Sequence, residues 1–303
     1  MRVLVTGGTG VIGSAVVRAL VGEGHAVVGL ARSYASAASL KGMGAAVLRG
    51  NIREPEGWIG RIGQVDGVIH AAADFRDDMG EVETRFLDRL LPSLAALPSR
   101  PRLIYTGGCW LYGETGTAAA TESTPFDPLP AFAWMVPNLR RVLSAPGIQG
   151  MAVHPALVYT DEGGVLAPFI DAARETATVR IVGSEEVHWP LVHADDLAKL
   201  YVLVLERGQQ GQMYNGAAVE GYPVGALARW VARGHGTAAC RVQVITPAEA
   251  AAERGEWARG YALDQRMSSA KARRELDWLP ARAIPDRDHH PTSCAIQERN
   301  APS

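Results

Sequence analysis

The chain has 303 residues, with 30 Lys and Arg against 32 Asp and Glu and 47% hydrophobic residues. That length buries a large core and makes one big domain or two unequal ones, and the near balance of charge excludes an electrostatic grip on nucleic acid or a membrane surface. Three cysteines, Cys109, Cys240 and Cys294, are odd in number and lack a C-x-x-C pair, which points to reduced thiols and excludes a disulfide framework or a zinc site. No apolar run has the length to span a bilayer, and a strand starting at Arg2 leaves no room for a signal peptide, so a cytoplasmic location with no metal is expected.

The first element is the run Val3-Leu4-Val5, apolar and β-branched, which reads as a buried strand broken at Thr6-Gly7. From Val11 the apolar positions change to helical spacing through Val16, Ala19 and Leu20. At the joint Gly7, Gly10 and Gly13 stand three apart. The first permits a tight turn, the second lets backbone approach a pyrophosphate, and the third lets the helix pack close to the strand. Thr9, Val11 and Ile12 complete this loop, and the free N–H groups and positive dipole end of the helix face an anionic ligand. The pattern predicts a dinucleotide site.

Further strands are expected at 25–30, 45–48, 65–70, 102–106 and 150–154, with helical patterns between them. One of these, 82–97, places Phe86, Leu87, Leu90 and Leu94 on one face. Short apolar strands alternating with helices give an α/β fold, a doubly wound parallel sheet covered on both faces, with its ligand at the carboxyl ends of the strands. After Tyr159 the rhythm changes. A helix is expected at 163–177, strands at 180–182 and 188–192, and a helix at 195–205 with acidic residues in its first turn. A strand at 212–215 returns to the main sheet, and a helix-rich remainder to about Pro280 holds one more strand at 241–245. The expected organisation is a dinucleotide-binding domain over 1–160 completed by 190–216, a substrate cap over 161–189 and 217–282, and a disordered tail over 283–303.

The residue beyond the second strand of such a sheet sorts the two nicotinamide cofactors, an acidic side chain accepting from both ribose hydroxyls and a cation pairing with a 2′-phosphate. Here the chain reads Leu30-Ala31-Arg32-Ser33, without Asp or Glu. A guanidinium forks onto phosphate and Ser33 adds a hydroxyl, so NADP(H) is expected over NAD(H).

The segment Thr6-Gly7-Gly8-Thr9-Gly10-Val11-Ile12-Gly13 resembles the nucleotide-binding signature of the extended short-chain dehydrogenase/reductases, the NAD-dependent epimerase/dehydratase family. Gly50-Asn51-Ile52, Val68-Ile69-His70-Ala71-Ala72-Ala73, Pro155-Ala156-Leu157-Val158-Tyr159, Val192-His193-Ala194-Asp195-Asp196 and the stretch from Lys271 to Pro280 match later family motifs in order. The resemblance covers nearly all of residues 1–282 and implies a Rossmann sheet with a smaller α/β cap. It places Asn51 and Ile52 at the adenine, Ala71, Ala72 and Ala73 along the adenosine and ribose, and Pro155 and Val158 around the nicotinamide carboxamide, with Thr106 facing the same side.

The family's hydride chemistry uses a Tyr to move the proton, a Lys four residues later to lower that phenol's pKa, and a Ser or Thr on the substrate oxygen; an unperturbed phenol is a poor base at neutral pH. In Tyr105-Thr106-Gly107-Gly108-Cys109-Trp110-Leu111-Tyr112-Gly113 the hydroxyl position falls on Gly108. From Pro130 to Arg141 the candidate registers pair Phe132 with Val136 or Trp134 with Asn138, and none gives Tyr and Lys. Pro137 is expected to interrupt that helix, and His154 replaces the family's Arg before Pro.

Three readings stay open. A reductase takes its proton from Thr106, Cys109, Tyr112 or His154, or acts on an iminium or conjugated alkene that needs little acid; the chain is a redox-silent NADP(H) sensor; or it is an isomerase with retained cofactor. The substrate cleft is expected to be lined by Asp74, Phe75, Cys109, Trp110, Phe132, Trp134, Val165, His188 and Trp189, an aromatic set with only Arg76 and Arg180 near it. A nucleotide sugar needs cations for its diphosphate, so a small or medium apolar carbonyl compound is expected as the partner. Phe86, Leu90, Leu91 and Leu94 serve either a homodimer face or burial against the sheet.

Overall fold

The computed structural model describes residues 1–73, 76, 78–161 and 163–282; Asp74, Phe75 and the tail 283–303 lie outside the described residues. The first half runs β1 (Arg2–Thr6), α1 (Val11–Gly22), β2 (Ala26–Ala31), α2 (Tyr34–Gly42), β3 (Ala46–Arg49), β4 (Gly67–His70), α3 (Met79–Ala95), β5 (Arg102–Thr106), α4 (Met135–Ser144) and β6 (Gln149–Pro155). It continues through β7 (Leu157–Thr160), β8 (Gly163–Gly164), α5 (Ala167–Glu175), β9 (Thr178–Val182), β10 (His188–His193), α6 (Ala194–Arg207) and β11 (Met213–Gly216). The last elements are β12 (Val219–Pro223), α7 (Val224–His235), β13 (Arg241–Ile245), α8 (Pro247–Arg254) and α9 (Ala270–Leu276).

Seven strands form one parallel sheet in the order β3-β2-β1-β4-β5-β6-β11. The order reverses between β1 and β4, where helices leave toward opposite faces and open a crevice at the strands' carboxyl ends. Thr6 and His70 are register partners at that edge. On one face Val16, Val17 and Leu20 of α1 pack with Leu197, Leu200 and Val204 of α6. On the other, Phe86, Leu87, Leu90 and Leu94 of α3 pack with Leu139 and Val142 of α4.

That packing decides the role of the α3 residues. Phe86, Leu90 and Leu94 are wholly buried within the chain, so they offer no face to a second copy, and Leu91 is half-buried against the same core. The outer side of α3 is polar, with Asp88 paired to Arg141 at 2.5 Å and Arg89 to Glu56 at 3.0 Å. Pro137 does not break α4 either: the helix starts at Met135, so the proline sits in its first turn, where an N–H has no helical acceptor.

The cap region differs from the sequence expectation at three strands. A second sheet, β12-β10-β7-β8, includes β7, β8 and β12, which the reading from sequence did not anticipate. The helix expected from 163 starts only at Ala167, because Gly163 and Gly164 pair with Thr160 and Tyr159 as β8; Gly164 does so at φ +70, where a Cβ would lie 2.3 Å from the Val158 carbonyl oxygen. A parallel pair, β9 with β13, completes the cap. Among the described residues no helix is long and apolar enough to cross a membrane, and no group of His, Cys, Asp and Glu is arranged to hold a metal ion.

Candidate cofactor and substrate site

The loop between β1 and α1 is built by close backbone approach. Gly7 has φ +72, and a Cβ on it would meet the Ala71 oxygen at 2.4 Å; a Cβ on Gly13 would meet the Gly7 oxygen at 2.1 Å. Gly10 is different. Its only neighbour within reach of a Cβ is the Gly7 oxygen at 3.5 Å, and it caps α1 without a side-chain hydrogen bond. The space beside Gly10 is open and the first N–H groups of α1 are unclaimed by a side chain, the arrangement a pyrophosphate requires. Thr9, Gly10 and Val11 are exposed on this lip. The residues present therefore fit a dinucleotide.

Arg32 follows the last residue of β2 and is exposed, with no hydrogen-bond or ion-pair partner among the described residues. The Ser33 hydroxyl accepts from Ser36 N at 3.1 Å in the capping box that starts α2, which fixes its position at the end of β2 while its own proton stays available to donate. Arg49, which the sequence reading passed over, is the register partner of Ala31 and lies with its guanidinium 4.7 Å from the Tyr34 ring centre. Asn51 accepts from Arg53 N at 3.1 Å through Oδ1, which leaves its amide N–H groups for a ligand. Ile52 is half-buried against the core under α3.

A cavity of about 380 Å³ opens at the β1–β4 switch point. Ile12, Ala71, Ala72, Ala73, Thr106, Pro155 and Val158 line it, together with Cys109, Trp110, Phe132, Trp134 and Val165. Cofactor and substrate expectations thus converge on one space. Among the described residues that line it there is no Lys or Arg. Two aromatic side chains from the 3-10 segment Glu256–Ala262, Trp257 and Tyr261, also line it and were not singled out in the sequence. Tyr261 meets Trp110 edge-on at 5.2 Å and Trp257 lies 6.4 Å from the same indole.

His188 and Trp189 do not line the cavity. Trp189 is buried and donates from Nε1 to the Tyr261 carbonyl oxygen at 3.0 Å, so it supports the wall from behind. His188 faces Asp264, with Nδ1 3.0 Å from the carboxylate.

The candidate proton donors fare unequally. Tyr112 lies outside the lining and donates to Asn215 Oδ1 at 2.8 Å, and burial pushes its phenol above the ordinary range. Cys109 lines the cavity, but burial raises its thiol to about 12, leaving it protonated and unreactive at neutral pH. His154 is fully buried beneath Gly107 and burial lowers its pKa to about 4. Thr106 keeps an ordered hydroxyl at the cavity, 2.7 Å from the hydroxyl of buried Tyr201 on α6.

Three further polar groups line the same cavity: His70, Glu83 and Tyr105. The His70 ring bridges Thr6 Oγ1, 2.6 Å from Nδ1, and both Glu83 oxygens, 2.9 and 3.0 Å from Nε2. The signal in the sequence was Glu83 itself, a carboxylate on the apolar face of α3 between Val82 and Phe86.

The sequence profile of the NAD dependent epimerase/dehydratase family matches residues 3–217. Over 288 residues the chain is 29% identical to the Saccharomyces cerevisiae protein YLL056C and 26% identical to the Schizosaccharomyces pombe protein C2A9.02, both described as uncharacterized; each match covers 92% of this chain and 95% of the relative. The crystal structure of DesIV, a dTDP-glucose 4,6-dehydratase from Streptomyces venezuelae with NAD and TYD bound, superposes with a TM-score of 0.79 at 21% identity, covering 94% of each chain. With a family match over two thirds of its length and a switch-point cavity joined to the glycine loop, this chain belongs to the NAD dependent epimerase/dehydratase family.

Proposed function

We propose that the chain is an NADP(H)-dependent oxidoreductase that reduces a small or medium apolar carbonyl, imine or enone in a site built without the Tyr-x-x-x-Lys pair. The observation that carries this reading is the cavity: aromatic walls, no Lys or Arg among the described lining residues, and direct continuity with the dinucleotide loop through Ile12. A nucleotide sugar brings a diphosphate that such walls cannot neutralise. Bound reduced nicotinamide supplies the hydride. The chain's own residues hold and exclude: Gly10 and the start of α1 receive the pyrophosphate, and Arg32, with Arg49 alongside, takes the 2′-phosphate. Thr106, fixed by Tyr201, offers its hydroxyl to a substrate oxygen, and the Trp110, Trp257 and Tyr261 cluster keeps water from the reacting end.

The test mixes the protein and NADPH with a panel of ketones, imines and enones and follows loss of reduced-nicotinamide absorbance. Turnover of an apolar member supports the reading. Tight cofactor binding with no turnover across the panel assigns a sensor instead, and oxidised cofactor retained through purification assigns an isomerase.

A further inference from the structure

The cavity combines aromatic walls, a one-sided charge and a lack of proton donors. Trp110, Trp134, Trp257 and Tyr261 are half-buried and Phe132 is buried, and all five line it. Among the described lining residues the only carboxylate is Glu83, and there is no Lys or Arg. The one lining imidazole, His70, has Nε2 on both Glu83 oxygens. With one ring proton this pair is negative and with two it is neutral, so it does not repel a cation. Nor is any described lining group placed to give up a proton. His70 has its other ring nitrogen 2.6 Å from Thr6 Oγ1, so both sides of the ring are taken. The Thr106 hydroxyl rests on the Tyr201 phenol, which burial pushes above the ordinary range. Burial raises the Tyr261 phenol too, and burial with the nearby Glu83 charge holds Tyr105 well above that range. Phenols raised in this way are poor acids at neutral pH.

We infer that the substrate is an organic iminium ion, a planar C=N⁺ cation carried on a ring system and held by the aromatic walls and Glu83. The iminium carbon accepts a hydride from reduced nicotinamide and forms a new C–H bond, while the C=N π pair moves onto nitrogen. The substrate is thereby reduced to an amine and the nicotinamide oxidised. No proton enters. A ketone reduced in the same way leaves an alkoxide that needs a donor, and this site has no group to supply one. One positive charge lies in the cavity before and after the step, first on the iminium and then on the nicotinamide. Indole and phenol faces attract such a charge, and a carboxylate beside a dry, apolar space attracts it further. The inference rests on the reductase reading and narrows it to imines that already carry their charge.

The test uses the full chain. Trimethylphenylammonium and its neutral isostere tert-butylbenzene, neither of which accepts a hydride, are titrated calorimetrically against the chain alone and against the chain saturated with NADPH. The cation is expected to bind about tenfold tighter in both states. Trp257→Leu and Glu83→Gln are each expected to cut that preference about threefold or more. Next, 2-methyl-3,4-dihydroisoquinolinium and 1-tetralone are offered with NADPH. The iminium is expected to exceed the ketone about a hundredfold or more in kcat/KM, at a rate unchanged in D₂O. The probe pairs on the unaltered chain decide the question where a variant folds poorly. Equal binding of the isosteres, a cation preference lost on NADPH saturation, an unchanged preference in folded Glu83→Gln, or tetralone reduced as fast as the iminium overturns the inference. Ketone turnover without a cation preference leaves the reductase reading standing alone. A cation preference with turnover of neither compound overturns the reductase reading and iminium reduction with it, and leaves a cation-binding cavity.

Discussion

The three glycines around α1 make a matched set that separates folding from binding. At Gly13 an Ala methyl would sit 2.1 Å from the Gly7 oxygen and 2.9 Å from the Gly8 Cα, backbone atoms that cannot rotate away. The loop or helix must retreat by about 1 Å, a strain of about 1–3 kcal/mol that outweighs the gain of up to ~1 kcal/mol from replacing a helical Gly. At Gly22, in the same helix, nothing lies within 4 Å, so Gly22→Ala is expected to be neutral or stabilising by up to ~1 kcal/mol. Gly10 decides the functional question. Its φ of −78° and ψ of 174° suit any L-residue, and its methyl would project into open space. Gly10→Ala is therefore expected to cost the fold no more than about 1 kcal/mol, the difference between Gly and Ala at an N-cap. The same methyl occupies the pyrophosphate position, and dinucleotide affinity should fall by about tenfold or more. Urea denaturation reads the first quantity and calorimetric titration with NADPH the second. If Gly10→Ala binds NADPH as the parent does, the loop is not the pyrophosphate cradle and the argument from its geometry fails.

Arg32→Ala should weaken NADPH by about 1.5–3 kcal/mol and leave NADH unchanged, checked by paired titrations; equal loss for both coenzymes places the guanidinium elsewhere than at the 2′-phosphate. Tyr201→Phe removes the partner of the Thr106 hydroxyl at 2.7 Å and should lower stability by about 1 kcal/mol in denaturant unfolding. His154 gives a pH prediction with a definite sign. Burial lowers its folded-state pKa from 6.5 to about 4, so the unfolded chain binds the extra proton first as pH falls. Its contribution is intact above 6.5, declines between 6.5 and about 4, and reaches a loss of about 3 kcal/mol below that. His154→Gln should flatten this part of the acid limb in stability measured from pH 7 to pH 4, and an unchanged limb refutes the assignment.

What could be read in advance was what the chain writes locally. The glycine loop, the strand 102–106 and the strand 241–245 carry their signals within a few residues, and the structure has both strands at those positions. β7 was opaque because Leu157–Thr160 follows β6 after Ala156 alone, with no turn residue to mark a new strand. In the site, the long-range partners were the illegible part. Trp189 and Trp257 look alike in sequence, yet tertiary packing puts Trp257 at the cavity and Trp189 behind Tyr261. Tyr105 reads as strand core and Glu83 as a polar interruption of a helix face; only the fold sets them beside His70 at the cavity. Thr106 was legible by position, but the Tyr201 hydroxyl that orients it is 95 residues away along the chain.

The most direct measurement is an equilibrium titration of the purified chain with NADPH and with NADH, followed by energy transfer from tryptophan to the reduced nicotinamide. The account predicts saturable one-to-one binding with NADPH the tighter ligand. Absence of binding by both coenzymes contradicts it.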